Sequence, residues 1–411
     1  MISLCGDALA DNWPHWRGPE NNGISSEAGL ATEWSGSENV SWRLELPGPG
    51  PATPIVWEDR IFLTSSEGDS LALLCVSTSG ELLWKKVIGN GNRDVRQGES
   101  NGAAPSPSTD GKHVWAYFGT GVVVCFDLEG KEFWRTNLDD RYGKFNNYFG
   151  IGTTPLLDRD RLYFQLLHAD AQIILALDKS NGKEVWKHGR KTDAQSECLH
   201  SYTSPSIYRH DGQEFLLTHG SDYIVAHSLE DGGEIWRCGR LQNTNKYRHS
   251  LRLVASPVSA PGLIIVPSAK NGPIMALNPK AAEGDITGKD EHYVWRCERN
   301  TTDVPSPLIQ GDLVYIPREN GVLVCIDAKT GDQVYIERVH AQRHRGSPVY
   351  ADGKIYLMAI DGTVSVVKAG RKFEIQASNN IEERIAASLA ISDGTIYLRS
   401  YEALYAIRES Q

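Results

Sequence analysis

The sequence predicts an all-β chain: an eight-bladed β-propeller of four-stranded antiparallel blades, its ring closed by an N-terminal strand that completes the last blade. Three observations predict it. A Ser/Thr-Pro step recurs at Thr53-Pro54, Ser106-Pro107, Thr154-Pro155, Ser204-Pro205, Ser256-Pro257, Ser306-Pro307 and Ser347-Pro348. An eighth copy, Ser388-Leu389, keeps the serine and loses the proline. In phase with these steps, a Gly, a charge, an apolar residue and Trp recur, as in "SGELLWK" 79–85, "EGKEFWR" 129–135, "NGKEVWK" 181–187 and "DGGEIWR" 231–237. Between them lie short runs of Val, Ile, Leu and Tyr bounded by Gly, Asp, Asn and Pro, the mark of short strands, and no window sustains helical spacing.

Successive anchor prolines stand 53, 48, 50, 52, 50 and 41 residues apart, and a further 41 residues reach Leu389. A period of this length with four strands per unit means propeller blades rather than a solenoid. In each unit the anchor starts the innermost strand, because proline has no N–H to give a ladder and belongs at a strand start or an edge. A turn and an apolar strand follow ("EDRIFLT", "QGDLVYIP", "SDGTIYLRS"), then a third strand ("LALLCVS", "GVVVCFD", "GVLVCID"). A hairpin whose glycine persists while its other residues change leads to the outer strand, which carries the Trp. Trp42, Trp84, Trp134, Trp186, Trp236 and Trp295 are therefore expected to pack between blades, with Tyr335 and Phe373 in two weaker copies. The last unit, "ISDGTIYLRSYEALYAIRES", stops after its third strand, while "NVSWRLELPG" 39–48 carries a spare Trp strand ahead of the first anchor. Joining the two removes an open sheet edge. Residues 38–411 are thus read as the propeller and 1–37 as a leader.

Net charge is −10 with no basic stripe, so nucleic acid is not expected as a partner, and no apolar run approaches the ~20 residues that span a bilayer. Of the seven cysteines, Cys75, Cys125 and Cys325 hold the same place in three blades and read as small buried hydrophobes. No CxxC occurs, and no metal site is expected. Ala8-Leu9-Ala10 has the A-x-A form of a cleavage site but only a short run before it, and Cys5 lies in "SLCGD". The expectation is a truncated secretion signal and a periplasmic or secreted, monomeric protein.

The unit "ALDKSNGKEVW" 176–186 resembles the repeat of the pyrroloquinoline-quinone-type (PQQ-like) propellers, and "CIDAKTGDQVY" 325–335 keeps its Asp-x-x-Thr-Gly core. Together with "NWPHWRGPENNGIS" 12–25, "GDITGKDEHYVWR" 284–296 and "DVPSPL" 303–308, this is similar to the secreted bacterial branch described as BamB-like. The resemblance implies the fold; function has to be argued from a site. It implies two classes. One is a PQQ-dependent alcohol or sugar dehydrogenase, holding the quinone with Ca²⁺, a Trp floor, Arg contacts, a catalytic Asp and often two adjacent cysteines. No Cys-Cys pair and no compact acidic cluster for Ca²⁺ is found, so no catalytic residue is assigned and no cofactor is expected. The other is a non-catalytic binding or scaffold propeller for a protein partner or a small anionic ligand, similar to outer-membrane assembly propellers. A sensor module like the extracytoplasmic domains of bacterial kinases is a third form.

Propellers bind where loops enter the innermost strands, here 89–105, 138–152, 190–202, 241–254, 298–305 and 338–346. Aligned on the anchors, those approaches carry His200, Arg252, Asp303, Arg343, His344, Arg345 and, before the last anchor, Arg384. The arginines and histidines are expected to form a positive patch near the axis, in which Asp303 satisfies one Arg but not all. Its anion binding would weaken with salt, and also as pH rises through the histidine range should His200 or His344 be charged.

Overall fold

The computed structural model describes residues 12–95, 99–242 and 247–409; Cys5 and Ala8-Leu9-Ala10 lie outside them. Eight antiparallel sheets are formed in chain order. Blade 1 consists of Ile55–Trp57, Arg60–Glu67, Ser70–Ser77 and Leu82–Asn90. Six further blades repeat this order, and each innermost strand begins directly after its anchor dipeptide, as at Leu156, Val258 and Val349. Blade 8 takes three strands from the C-terminus, Ala390–Ser392, Thr395–Arg399 and Ala403–Ile407, and its outer strand, Val40–Glu45, from the N-terminus. The register is Trp42 with Ala406, Arg43 with Tyr405 and Leu44 with Leu404. Arg43 adds a 2.7 Å ion pair to Glu383. Among the described residues helix is confined to Leu138–Tyr142 and short 3₁₀ turns.

The repeated Gly and Trp are two halves of one inter-blade joint. The indole N–H of Trp42 donates to the Thr78 carbonyl (2.8 Å), Trp84 to Leu128 (2.9 Å), Trp134 to Lys179 (2.9 Å), Trp186 to Leu229 (3.2 Å) and Trp295 to Ala328 (2.9 Å). Each acceptor is the outer hairpin of the next blade. The hairpin glycine lies flat against the same ring. A Cβ on Gly80, Gly182, Gly232 or Gly331 would stand 2.5–2.7 Å from the preceding blade's indole, and all four have positive φ. Glycine is thus required twice, by conformation and by contact. Trp236 departs from the scheme. The hairpin of blade 5 is enlarged, and its Gly284–Asp285 segment pairs parallel with the outer strand of blade 4, an addition the sequence reading does not anticipate. Cys75, Cys125 and Cys325 are buried, and burial pushes their thiols up to about 12, 12 and 11.

The leader is built into the ring. Innermost strands have one unpaired edge facing the axis, and the leader lies along several of them. Trp13 exchanges both backbone hydrogen bonds with Val56 (2.8 and 2.9 Å), Thr109 N–H donates to Pro14, and Ile24 bridges to Tyr350. Farther on, Trp34 N–H donates to Asn379 and Trp34 stacks on Tyr356.

Candidate functional site: the axial cavity

The anchor hydroxyls, whose role the sequence reading leaves to the prolines, converge on the axis. The backbone N–H of Thr53 donates to Ser106 Oγ (2.9 Å), that of Ser106 to Thr154 (3.1 Å), Thr154 to Ser204 (2.9 Å), Ser204 to Ser256 (2.9 Å), Ser256 to Ser306 (3.0 Å), Ser306 to Ser347 (2.9 Å) and Ser347 to Ser388 (2.9 Å). Blades 1 to 7 therefore each hand one amide proton to the next blade's hydroxyl. This explains why Ser388 survives where its proline does not. All eight hydroxyls line one cavity of about 210 Å³. Among the described residues none of them donates to a protein acceptor, so their protons are free to point inward.

Trp16 closes the cavity from below. The guanidinium of Arg17 sits 5.4 Å from the Trp16 ring centroid and donates to the carbonyls of Asn22 and Pro307 (both 3.0 Å). Arg17 is buried, has no carboxylate partner among the described residues, and is held down to about 9 by burial. It places positive charge under the floor.

The opposite mouth is built by the loops that the sequence singles out. Arg252 and Arg345 line the cavity. Arg252 lies over the Phe149 ring (5.3 Å) and 3.5 Å from Glu197. Arg345, its side chain 7% exposed, contacts Glu99 (2.6 Å) and Glu319 (3.0 Å). Arg343 pairs with the other oxygen of Glu99 and stands 3.8 Å from Glu319. Asp303 belongs to the same cluster, 3.4 Å from Lys270, which also holds Glu319 at 2.5 Å. Burial and the neighbouring Glu319 raise the Asp303 carboxyl. Burial also opposes ionisation of Glu319, yet hydrogen bonds from Lys270 and Asp303 and the charge of Arg345 bring it down to about 2. Of the two carboxyls, Asp303 is the one pushed upward and Glu319 the one held down. Arg384 lies over the Tyr401 ring (4.7 Å), and Tyr401 is within electrostatic reach of Glu99, Arg343 and Arg345.

The four arginines and Asp303 are therefore gathered at one mouth, but the patch carries its own acids: Glu99, Glu197 and Glu319 were not anticipated. The condition that His200 or His344 be charged is opposed by their burial. His200 is buried and stacked on Tyr148 (4.8 Å), and His344 is 2% exposed with both ring nitrogens unpartnered. Burial lowers both, His344 to about 4, and so opposes a charged imidazole at either place. Trp16 was also missed. Only its place in the leader hinted at it, and leader residues lie outside the repeat that guided the reading.

Eight blades around a floored axial cavity lined by Arg252 and Arg345 define an eight-bladed propeller. The chain belongs to the family described as outer membrane protein assembly factor BamB, whose pattern matches residues 72–291 and 282–411. No curated protein matches it significantly. Among solved structures it is similar to BamB from Moraxella catarrhalis (14% identity, 89% of this chain and 98% of that one, TM-score 0.64). It is also similar to the quinohemoprotein alcohol dehydrogenase of Comamonas testosteroni (12%, 98% and 81%, TM-score 0.70) and to a europium-containing methanol dehydrogenase (11%, 96% and 90%, TM-score 0.71). At these identities the likeness shows the fold. No helix is long and apolar enough to cross a membrane among the described residues.

The cavity fits a quinone cofactor in part. Trp16 offers a flat floor and Arg252 and Arg345 offer carboxylate contacts. Among the described residues, however, no three His, Cys, Asp or Glu side chains converge as a cation site, and the sequence has no adjacent cysteines. The lining thus supplies only part of what a quinone–Ca²⁺ pair asks for, and no catalytic step is derived through it.

Proposed function

We propose that this chain is a non-catalytic, extracytoplasmic binding propeller in which the ring is a scaffold and the axial mouth receives an anionic group, from a protein partner or a small ligand. The observation that carries this reading is the placing of Arg252 and Arg345, from separate loops, in the wall of one cavity, with Arg343 joined to Arg345 through Glu99 and Arg384 over Tyr401 nearby. Guanidinium groups so placed offer bidentate, charge-assisted hydrogen bonds to carboxylate or phosphate. The family description names outer-membrane protein assembly, which supports a compartment outside the cytoplasm and a protein-binding role.

The test is calorimetric titration of the full chain with citrate and with an oligo-aspartate peptide, at low and moderate salt. Wild type binds one of them, more weakly as salt rises, and Arg252→Ala/Arg345→Ala weakens binding about tenfold or more, which is 1.4 kcal/mol. A folded double variant that binds as wild type does would remove the mouth from the function.

A further inference from the structure

Glu99 is the one mouth carboxylate that comes from across the ring. It stands on the loop between blades 1 and 2, yet its two oxygens are taken by Arg343 and Arg345, 244 and 246 residues away. Its loop is pinned beside it. Asn101 donates to Pro49 and to Ser66, and Gly119 N–H donates to the Gly102 carbonyl at 2.7 Å. Glu99 is thus held over the cavity by buried neighbours while its own head group is the only part that needs to move.

Below it the cavity wants negative charge and acceptors. The anchor hydroxyls offer donors from every side, Arg17 adds an uncompensated charge beneath Trp16, the buried Arg345 Nε has no hydrogen-bond partner, and Arg252 Nε has only the 3.5 Å ion pair to Glu197. A lone carboxylate at the rim answers the two arginines and leaves the hydroxyl ring unanswered. A protein side chain entering from above would do no better, since it brings one head group. A molecule with carboxylates on several sides answers both, and about 210 Å³ is room for one small organic acid or, at ~30 Å³ each, several waters.

We propose that Glu99 is a resident stand-in for a ligand carboxylate, and that the axial cavity binds a small di- or tricarboxylic acid by exchange with it. The exchange is a swap of ion pairs. The ligand carboxylate takes the Nη groups of Arg343 and Arg345, the Glu99 side chain turns to solvent, and the remaining ligand carboxylates accept from the hydroxyl ring. Glu99 then sets the affinity, because the ligand must displace a tethered competitor already in place. This inference rests on the anion-binding reading above.

The experiment is titration of Glu99→Gln and wild type with citrate and with acetate, by calorimetry and by intrinsic tryptophan fluorescence. E99Q keeps the shape of the side chain and removes its charge. It is expected to bind citrate about tenfold more tightly than wild type, a gain of 1.4 kcal/mol, with acetate far weaker in both, and Arg345→Ala in the E99Q background is expected to abolish the gain. Equal citrate affinity in wild type and E99Q overturns the exchange while leaving an anion site in place. No citrate binding to either folded protein overturns the exchange, and the reading beneath it falls with it only when the oligo-aspartate peptide fails to bind as well. Should E99Q fail to fold, Glu99→Asp keeps the charge but falls a methylene short of the arginines. Tighter citrate binding than wild type then supports the exchange, and unchanged binding overturns it.

Discussion

The rim and the axis of this ring are built on opposite principles. At the rim one joint is repeated. A Trp indole donates to the next blade's hairpin carbonyl and rests on that hairpin's glycine, in five successive or near-successive copies. At the axis only the anchor hydroxyl is repeated, and everything above it differs from blade to blade: Glu99 from one loop, Phe149 from the next, then Tyr202, Arg252, Val304 and Arg345. Repetition at the rim makes neighbouring blades interchangeable partners in packing. Variety at the mouth makes one site out of loops that have no sequence relation to each other. Substitutions at the rim should therefore act on stability, and substitutions at the mouth on binding.

The largest effect is expected from breaking the rim where it closes. Deleting residues 38–46 removes the outer strand of blade 8, with Trp42 and its bond to Thr78. The expected outcome is collapse of the thermal midpoint of the whole ring, and an unchanged midpoint would show that closure does not depend on this strand. Acid comes next and probes the layer between rim and axis. His219, His227 and His344 are buried, and burial holds them down to about 3, 3 and 4. Since the folded values lie below the unfolded one, the stability they confer is full above about pH 6.5 and is lost as pH falls toward the folded values. The slope is at most about 1.4 kcal/mol per pH unit for each histidine. Denaturant melts between pH 7 and 4.5 should show this decline, and His344→Asn should flatten it.

Trp134→Ala opens a cavity at one joint and is expected to cost about 3–5 kcal/mol in urea unfolding without changing anion binding. Gly182→Ala, at φ +68 and with its Cβ 2.6 Å from the same indole, should cost at least about 1–2 kcal/mol for the left-handed backbone alone. A null effect is expected for the cofactor. PQQ added with Ca²⁺ should give neither sub-micromolar binding nor dye-linked oxidation of alcohols or sugars, and observing both together would overturn the non-catalytic reading.

The difference between the two regions also decides what can be read from sequence. The rim was legible because its joint recurs: eight anchors, the Trp strands and the displaced strand at Trp42 fix the blade count and the closure. The mouth was legible one side at a time. Arg252, Arg343, Arg345 and Arg384 could be placed near the axis by their distance from an anchor. Their acids could not, because Glu99 is 246 residues from Arg345 and no periodicity links them. The hydroxyl ring was in plain view as eight Ser or Thr residues, but proline alone accounted for a strand start and drew attention from the hydroxyl. Whether His200 and His344 carry charge could not be read, because burial, which lowers both, is a property of the folded loops. Trp16 and the Gly284–Asp285 strand lie outside the repeat, where the pattern has nothing to say.

The claim that the rim holds the ring together while the mouth binds is tested most directly by hydrogen–deuterium exchange of the full chain with and without saturating citrate. The account predicts slowed exchange confined to the mouth loops, at residues 99–104, 252–256, 343–347 and 386–388, with the Trp-bearing outer strands unchanged. Slowing on the outer strands, or none at the mouth under conditions where citrate is bound, would contradict it.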